Sequence, residues 1–203
     1  MNVNFQYSKN LAIEGSILLL LGVIPTIGWV LAIVGVVLLL KAAKELTYYY
    51  QDESIYKNSL TGLKYYIIAL IALAVGTGIG IASFTAAGLF SGTPFSFATG
   101  IVGGILAVAA GLVVAFAFYL LAALNLRKAY ETLAVKTGEQ SFNTASTLLL
   151  IGAILTVIGI GVILIVISWI FMVVGFSTMK PREYQPYPNN NGYSYQTQPP
   201  SQP

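Results

Sequence analysis

The side chains best suited to chemistry in this sequence are four carboxylates, Asp52, Glu53, Glu131 and Glu139. Oxygen donors of this kind hold divalent cations. Each lies within a few residues of a Lys or Arg, so solvated ion pairs are the expected arrangement. The chain has no His and no Cys. Imidazole- and thiol-based nucleophile systems are therefore excluded, and so are the usual ligands of structural zinc. Gly76-Thr77-Gly78-Ile79-Gly80 imitates the glycine spacing of a nucleotide loop. It sits inside a long apolar run with no strand before it, which predicts helix packing instead. No catalytic set, metal site or cofactor site emerges, and the chain reads as a non-enzyme.

The hydroxyls of Thr26, Ser83, Thr85, Thr156 and Ser168 are expected to bond to their own helix backbones. A continuous polar cavity lined by Thr26, Ser83, Thr85 and Thr156 would instead favour passage of a small, uncharged solute. Proton relays and ion-coupled carriers need ionisable groups inside the membrane. The apolar runs 15–40, 65–126 and 141–179 contain none, which disfavours charge-coupled transport.

Those runs are the elements that must position everything else. Apolar residues make up 57% of the chain and charged residues 8%. Soluble domains carry about 25% charged residues, so a soluble fold could not cover its surface with this composition. A spanning helix needs roughly 20 apolar residues, and the middle run is long enough for two. Stretches such as 162–167 show none of the alternation of a β-barrel strand. Helices satisfy their own backbone groups in lipid, and they are the predicted solution.

The ten basic and seven acidic residues fall in four zones: Lys9 and Glu14; Lys41 to Lys64; Arg127 to Glu139; and Lys180 to Glu183. Three uncharged breaks separate them. Pro25 and Gly28 mark the first, residues 91–94 the second, and Gly159 and Gly161 the third. Short basic loops stay cytoplasmic. The predicted fold is therefore an all-α, polytopic transmembrane helix bundle, with six helical segments arranged as three hairpins. Both termini are placed in the cytoplasm. The competing topology treats the first and last runs as single helices, giving four spans. The middle pair is read as about 60–88 and 99–126. The outer pairs are tight: residues 8–24 reach roughly 25 Å and 141–158 about 27 Å. Short full spans and re-entrant hairpins both stay open for them.

The outer hairpins resemble each other. Ser16 to Gly22 matches Ser146 to Gly152, and Thr26 matches Thr156 at the same offset. In the middle hairpin, Ala72, Gly76 and Gly80 on one helix and Gly103, Ala107, Gly111 and Ala115 on the other place small residues four apart. Small residues let helices approach closely in lipid. An antiparallel pair folded near residue 93 sets Ala72 opposite Ala115, Gly76 opposite Gly111 and Gly80 opposite Ala107. Tyr48, Tyr49, Tyr50, Tyr56, Tyr65 and Tyr66 are expected at the headgroup level.

Residues 1–180 form the predicted membrane domain. Residues 181–203 are rich in Pro, Asn, Gln, Ser and Tyr and are predicted to be a disordered cytoplasmic tail. The expected partners are the lipid bilayer and a protein that docks on the tail, with no nucleic acid; no oligomeric state is assigned. The segments Gly15 to Trp29 and Leu149 to Gly161 resemble an uncharacterised archaeal membrane family, domain of unknown function 996, with similarity over about residues 8–180. That resemblance implies an archaeal origin and plasma-membrane placement. It carries no activity and no functional residues. The leading expectation is a structural or interaction protein, and the alternative is a transporter or channel.

Overall fold

A computed structural model describes residues 4–90 and 92–181. Six α-helices follow one another: α1 Phe5–Leu21, α2 Gly28–Tyr50, α3 Ser54–Phe90, α4 Pro94–Thr137, α5 Gln140–Leu155 and α6 Gly161–Thr178. A 3-10 turn, Thr156–Ile158, joins the last two. The described residues contain no strand. Most of the tail, from Arg182 onward, lies outside them.

The helices pair as the three hairpins α1–α2, α3–α4 and α5–α6. Each outer apolar run is cut in two by its own backbone chemistry. Pro25 lies in the turn after α1, Thr26 takes a left-handed φ of 77°, and Gly28 opens α2. Gly159 takes a φ of 83° after the 3-10 turn, and Gly161 opens α6. A Cβ on Gly28 would run into the carbonyl of Gly22, and one on Gly161 into that of Gly152. The two glycine pairs hold equivalent places in the outer hairpins. Ser16 and Ser146 are also equivalent, and both are fully buried. The correspondence stops at the tips. Thr26 itself reverses the chain, whereas Thr156 stays in the 3-10 turn and Gly159 does the reversing.

The charged zones depart from expectation. Helices expected to begin near Leu60 and end near Leu126 run on to Ser54 and Thr137, through the second and third zones. Only 51–53 and 138–139 interrupt them. Gln51 and Gly138 turn left-handed there, with φ of 52° and 75°. Asp52 starts α3 by accepting from the Ser54 amide at 3.1 Å. Arg127 and Glu131, one turn apart, pair at 2.6 Å on α4. Charged side chains on an outward helix face are compatible with continued helix.

As a result α3 and α4 are far longer than their neighbours. Their 37 and 44 residues reach about 55 and 66 Å at 1.5 Å per residue, against roughly 25 Å for α1. The packed core is not at the centre of this length but at the charged end. Leu46, Ile55, Phe142, Met172 and Met179 are fully buried there. Phe142 meets Phe176 edge to face at 4.8 Å between ring centroids. Tyr49 and Tyr50 also belong to this core region. Tyr50 is 2% exposed, and Tyr49 lies 4.9 Å from the ring of Phe5. The tyrosine run is therefore split: Tyr48 and Tyr66 face outward, and Tyr50 faces in.

Candidate functional site

The charged end gathers side chains from distant parts of the chain. Lys136 on α4 pairs with Asp52 between α2 and α3 at 3.1 Å. The Ser54 and Thr132 hydroxyls meet at 3.3 Å. Lys9 on α1 donates to the carbonyl of Met179, past the end of α6, at 3.0 Å. The described members of all four charged zones thus share one end of the fold. A shallow groove of about 500 Å³ opens there, lined by Asp52, Lys128, Glu131, Thr132, Val135 and Lys136.

Hydrogen bonding from Ser54, and then from Lys136, holds the Asp52 carboxyl below its ordinary value. The groove is consequently a paired electrostatic surface. Glu131 is engaged by Arg127 and Asp52 by Lys136. Glu53 is exposed, and Glu139 lies beside the turn that joins α4 to α5. Among the described residues no three carboxylates converge as a cation site would require.

The second constellation is the seam between α3 and α4. A Cβ on Gly76 would lie 2.6 Å from the Cα of Gly111, and one on Gly111 would lie 2.7 Å from the Cα of Gly76. The backbones touch at this point. The carbonyls of Ala107 and Ala72 flank the contact at 3.1 and 3.2 Å, and Ala115 is buried. Gly80 faces the Gly104 carbonyl at 3.1 Å and the side chain of Val108, one residue away from the expected Ala107. Gly103 is a correction. Nothing lies within 4 Å of its Cβ position, and Gly104 occupies the seam instead.

The reason is geometric. Four residues advance a helix by about 400°, roughly 40° more than one turn, so a strict four-residue stripe drifts off the contact line. Alternating steps of three and four stay on it. Gly104, Gly111 and the buried Ala115 and Ala122 follow that rule on α4, as do Ala69, Gly76, Gly80 and Ala87 on α3. The seven-residue spacing of Gly104 and Gly111 was the signal in the sequence that marks this face.

The hydroxyls do not form one site. Thr85 and Thr156 bond back to Ile81 and Gly152 at 2.9 and 2.8 Å, within their own helical turns. Ser168 does not; its hydroxyl crosses to the carbonyl of Ala145 on α5 at 2.7 Å and is fully buried. The side chain of Thr156 meets that of Tyr119 on α4, whereas Ser83 lies opposite Gly100. Those two levels on α4 are about 28 Å apart. Thr26 sits on a third element, exposed at the tip of α1–α2.

Four of the helices, counting α5 with its 3-10 extension, are long and apolar enough to cross a membrane. A bundle of such helices, with no strand among the described residues and the described charges at one end, defines a polytopic helical membrane protein. The chain belongs to the family described as protein of unknown function (DUF996), whose family model matches residues 31–170. It is similar to the uncharacterized protein MJ1644 of Methanocaldococcus jannaschii, with 28% identity over 156 residues, 75% of this chain and 81% of that protein. No solved structure matches it.

Proposed function

We propose that this protein is a membrane-embedded structural or interaction protein rather than an enzyme or carrier. Its charged end and both termini lie in the cytoplasm, and the tail from Pro181 onward contacts a protein partner. One observation carries the reading. The side chains that could act on a solute are either engaged with each other at the charged end, as Asp52 is with Lys136, or scattered along the helices, as Thr156 and Ser83 are. Basic residues at one end support the cytoplasmic orientation. The plasma membrane is the expected location from the family resemblance.

Crosslinking in the native membrane, with the full chain and with a chain ending at Lys180, tests the proposal. A defined protein recovered with the full chain and lost with the shorter one is the expected result. Selective flux of a neutral solute through liposomes holding the purified protein would replace this reading with a channel or carrier.

A further inference from the structure

The heights of the helices do not match, and the mismatch bears on how the protein sits in a bilayer. The highest charges on the first four helices are Glu14 on α1, Lys41 on α2, Lys64 on α3 and Arg127 on α4. Counted from the charged end of each helix (Phe5, Tyr50, Ser54 and Thr137), all four rise about 14 Å. They form an uneven ring: the Gly15–Gly35 contact puts Glu14 about 8 Å above Lys41, and the Gly76–Gly111 contact puts Lys64 about 6 Å above Arg127. Ionised side chains are costly within hydrocarbon, so this ring sets the boundary of the apolar layer.

Above the ring the hairpins differ. From Lys64 to Phe90 α3 continues for about 39 Å, and from Arg127 to Pro94 α4 continues for about 50 Å. Both exceed the roughly 30 Å of a hydrocarbon core. From Glu14 to Leu21 α1 adds only about 10 Å, and from Lys41 to Gly28 α2 adds about 20 Å. The α5–α6 hairpin carries no charge, but α4 measures its height. It starts beside Thr137, and its tip at Thr156 meets Tyr119. That contact is about 12 Å above Arg127. Beyond it, α3–α4 continues without α5–α6. Its outward side chains, such as Ile71, Ile81, Leu106 and Val113, are all more than half exposed, at 57%, 65%, 63% and 70%.

We propose that α3–α4 alone crosses the bilayer, and that α1–α2 and α5–α6 are half-spans that enter the leaflet on the charged side and return. Lipid covers the outward faces of α3–α4 above Tyr66 and Tyr119. The exposed tips of the outer hairpins, Ile27 and Val30 in one and Val157, Ile158 and Ile160 in the other, end among acyl chains of that leaflet. Length and composition alone would let α5 and α6 cross; their attachment to the charged half of α4 prevents it. This inference rests on the reading of the chain as a membrane protein with its charged end in the cytoplasm.

The test places a spin label pair at Gly92→Cys and Ile160→Cys in the full chain, reconstituted in liposomes. The natural chain has no Cys. Gly92 has open space at its Cβ and Ile160 is exposed, so neither change disturbs packing. Half-span hairpins place the two tips at least about 38 Å apart, the length of α4 from Pro94 to Tyr119. An impermeant thiol reagent outside intact cells then labels the Gly92→Cys single variant and not the Ile160→Cys variant. A pair distance below about 25 Å, or labelling of Ile160→Cys from outside, overturns the half-span inference and leaves the orientation standing. Protection of Gly92→Cys in intact cells, with labelling only after lysis, overturns the orientation and this inference with it.

Discussion

Gly76 on α3 and Gly111 on α4 touch backbone to backbone, each standing where a side chain of the other would have to go. Without a hydrophobic force between helices in lipid, such close contact is what holds a helix pair together. A residue larger than glycine at either place must push α3 and α4 apart.

Gly76→Leu is therefore expected to destabilise the hairpin by about 1–3 kcal/mol, the usual range for overpacking. Gly78→Leu, two residues away in open space, is expected to leave stability unchanged. Unfolding midpoints in mixed detergent micelles compare the two. The same measurement on Gly103→Leu and Gly104→Leu should penalise only the second.

The Ser168 hydroxyl joins α6 to α5 through the Ala145 carbonyl while fully buried. Interhelical hydrogen bonds of this kind contribute about 0.6 kcal/mol on average, with an upper range near 1.7. Ser168→Ala should lose an amount in that range. Ser16→Ala removes a hydroxyl that bonds only to Ala12, in its own helix, and should lose less. Equal losses in the two variants would show that the bond between helices contributes nothing beyond local packing.

Asp52 links the start of α3 to the end of α4 through Lys136. Its carboxyl is held below the ordinary value in the folded state, first by Ser54 and then by Lys136. The stabilisation is present above the unfolded-state value and fades as pH falls through the lower, folded-state one. Both side chains are partly exposed, at 26% and 35%, so the pair is worth less than about 1 kcal/mol. Asp52→Asn should lower the melting temperature slightly at neutral pH. The difference from the natural protein should vanish in acid and shrink in high salt.

Thr26 takes a left-handed backbone at the tip of α1–α2, a conformation that costs a β-branched residue about 1 kcal/mol or more. Thr26→Gly should relieve part of that strain and raise the unfolding midpoint. Gly159→Thr, at the corresponding reversal of α5–α6, should lower it. A neutral or destabilising Thr26→Gly would mean that the threonine side chain makes a compensating contact in the bilayer.

Periodicity, charge and breaks in the chain determined much of this protein locally. Runs of apolar residues demand helices, because only helices and closed barrels satisfy their own backbone in lipid. Pro25 and Gly159 divide the outer runs, Pro25 because it lacks the amide donor that a continuing helix needs, and Gly159 because its φ of 83° is left-handed. The approximate register of α3 on α4 was legible because two antiparallel helices of constant rise leave one depth match for each residue. Which glycine of the Gly103–Gly104 pair faces the partner was legible only in the seven-residue spacing that Gly104 shares with Gly111; a strict four-residue stripe selects its neighbour, about 100° away.

Tertiary structure decided the rest. Composition gives Tyr50 the look of an interfacial residue, but it is buried in the core at the charged end, against the ring of Tyr49, which itself packs on Phe5. The sequence of α5 and α6 matches a spanning helix as well as that of α3. Their height was set by the two-residue link, 138–139, that ties α5 to the end of α4, and by Thr156 meeting Tyr119. Hydropathy measures the cost of putting a segment in lipid, residue by residue. It contains no term for which segments of the chain share a level, and that depends on contacts between residues far apart in sequence.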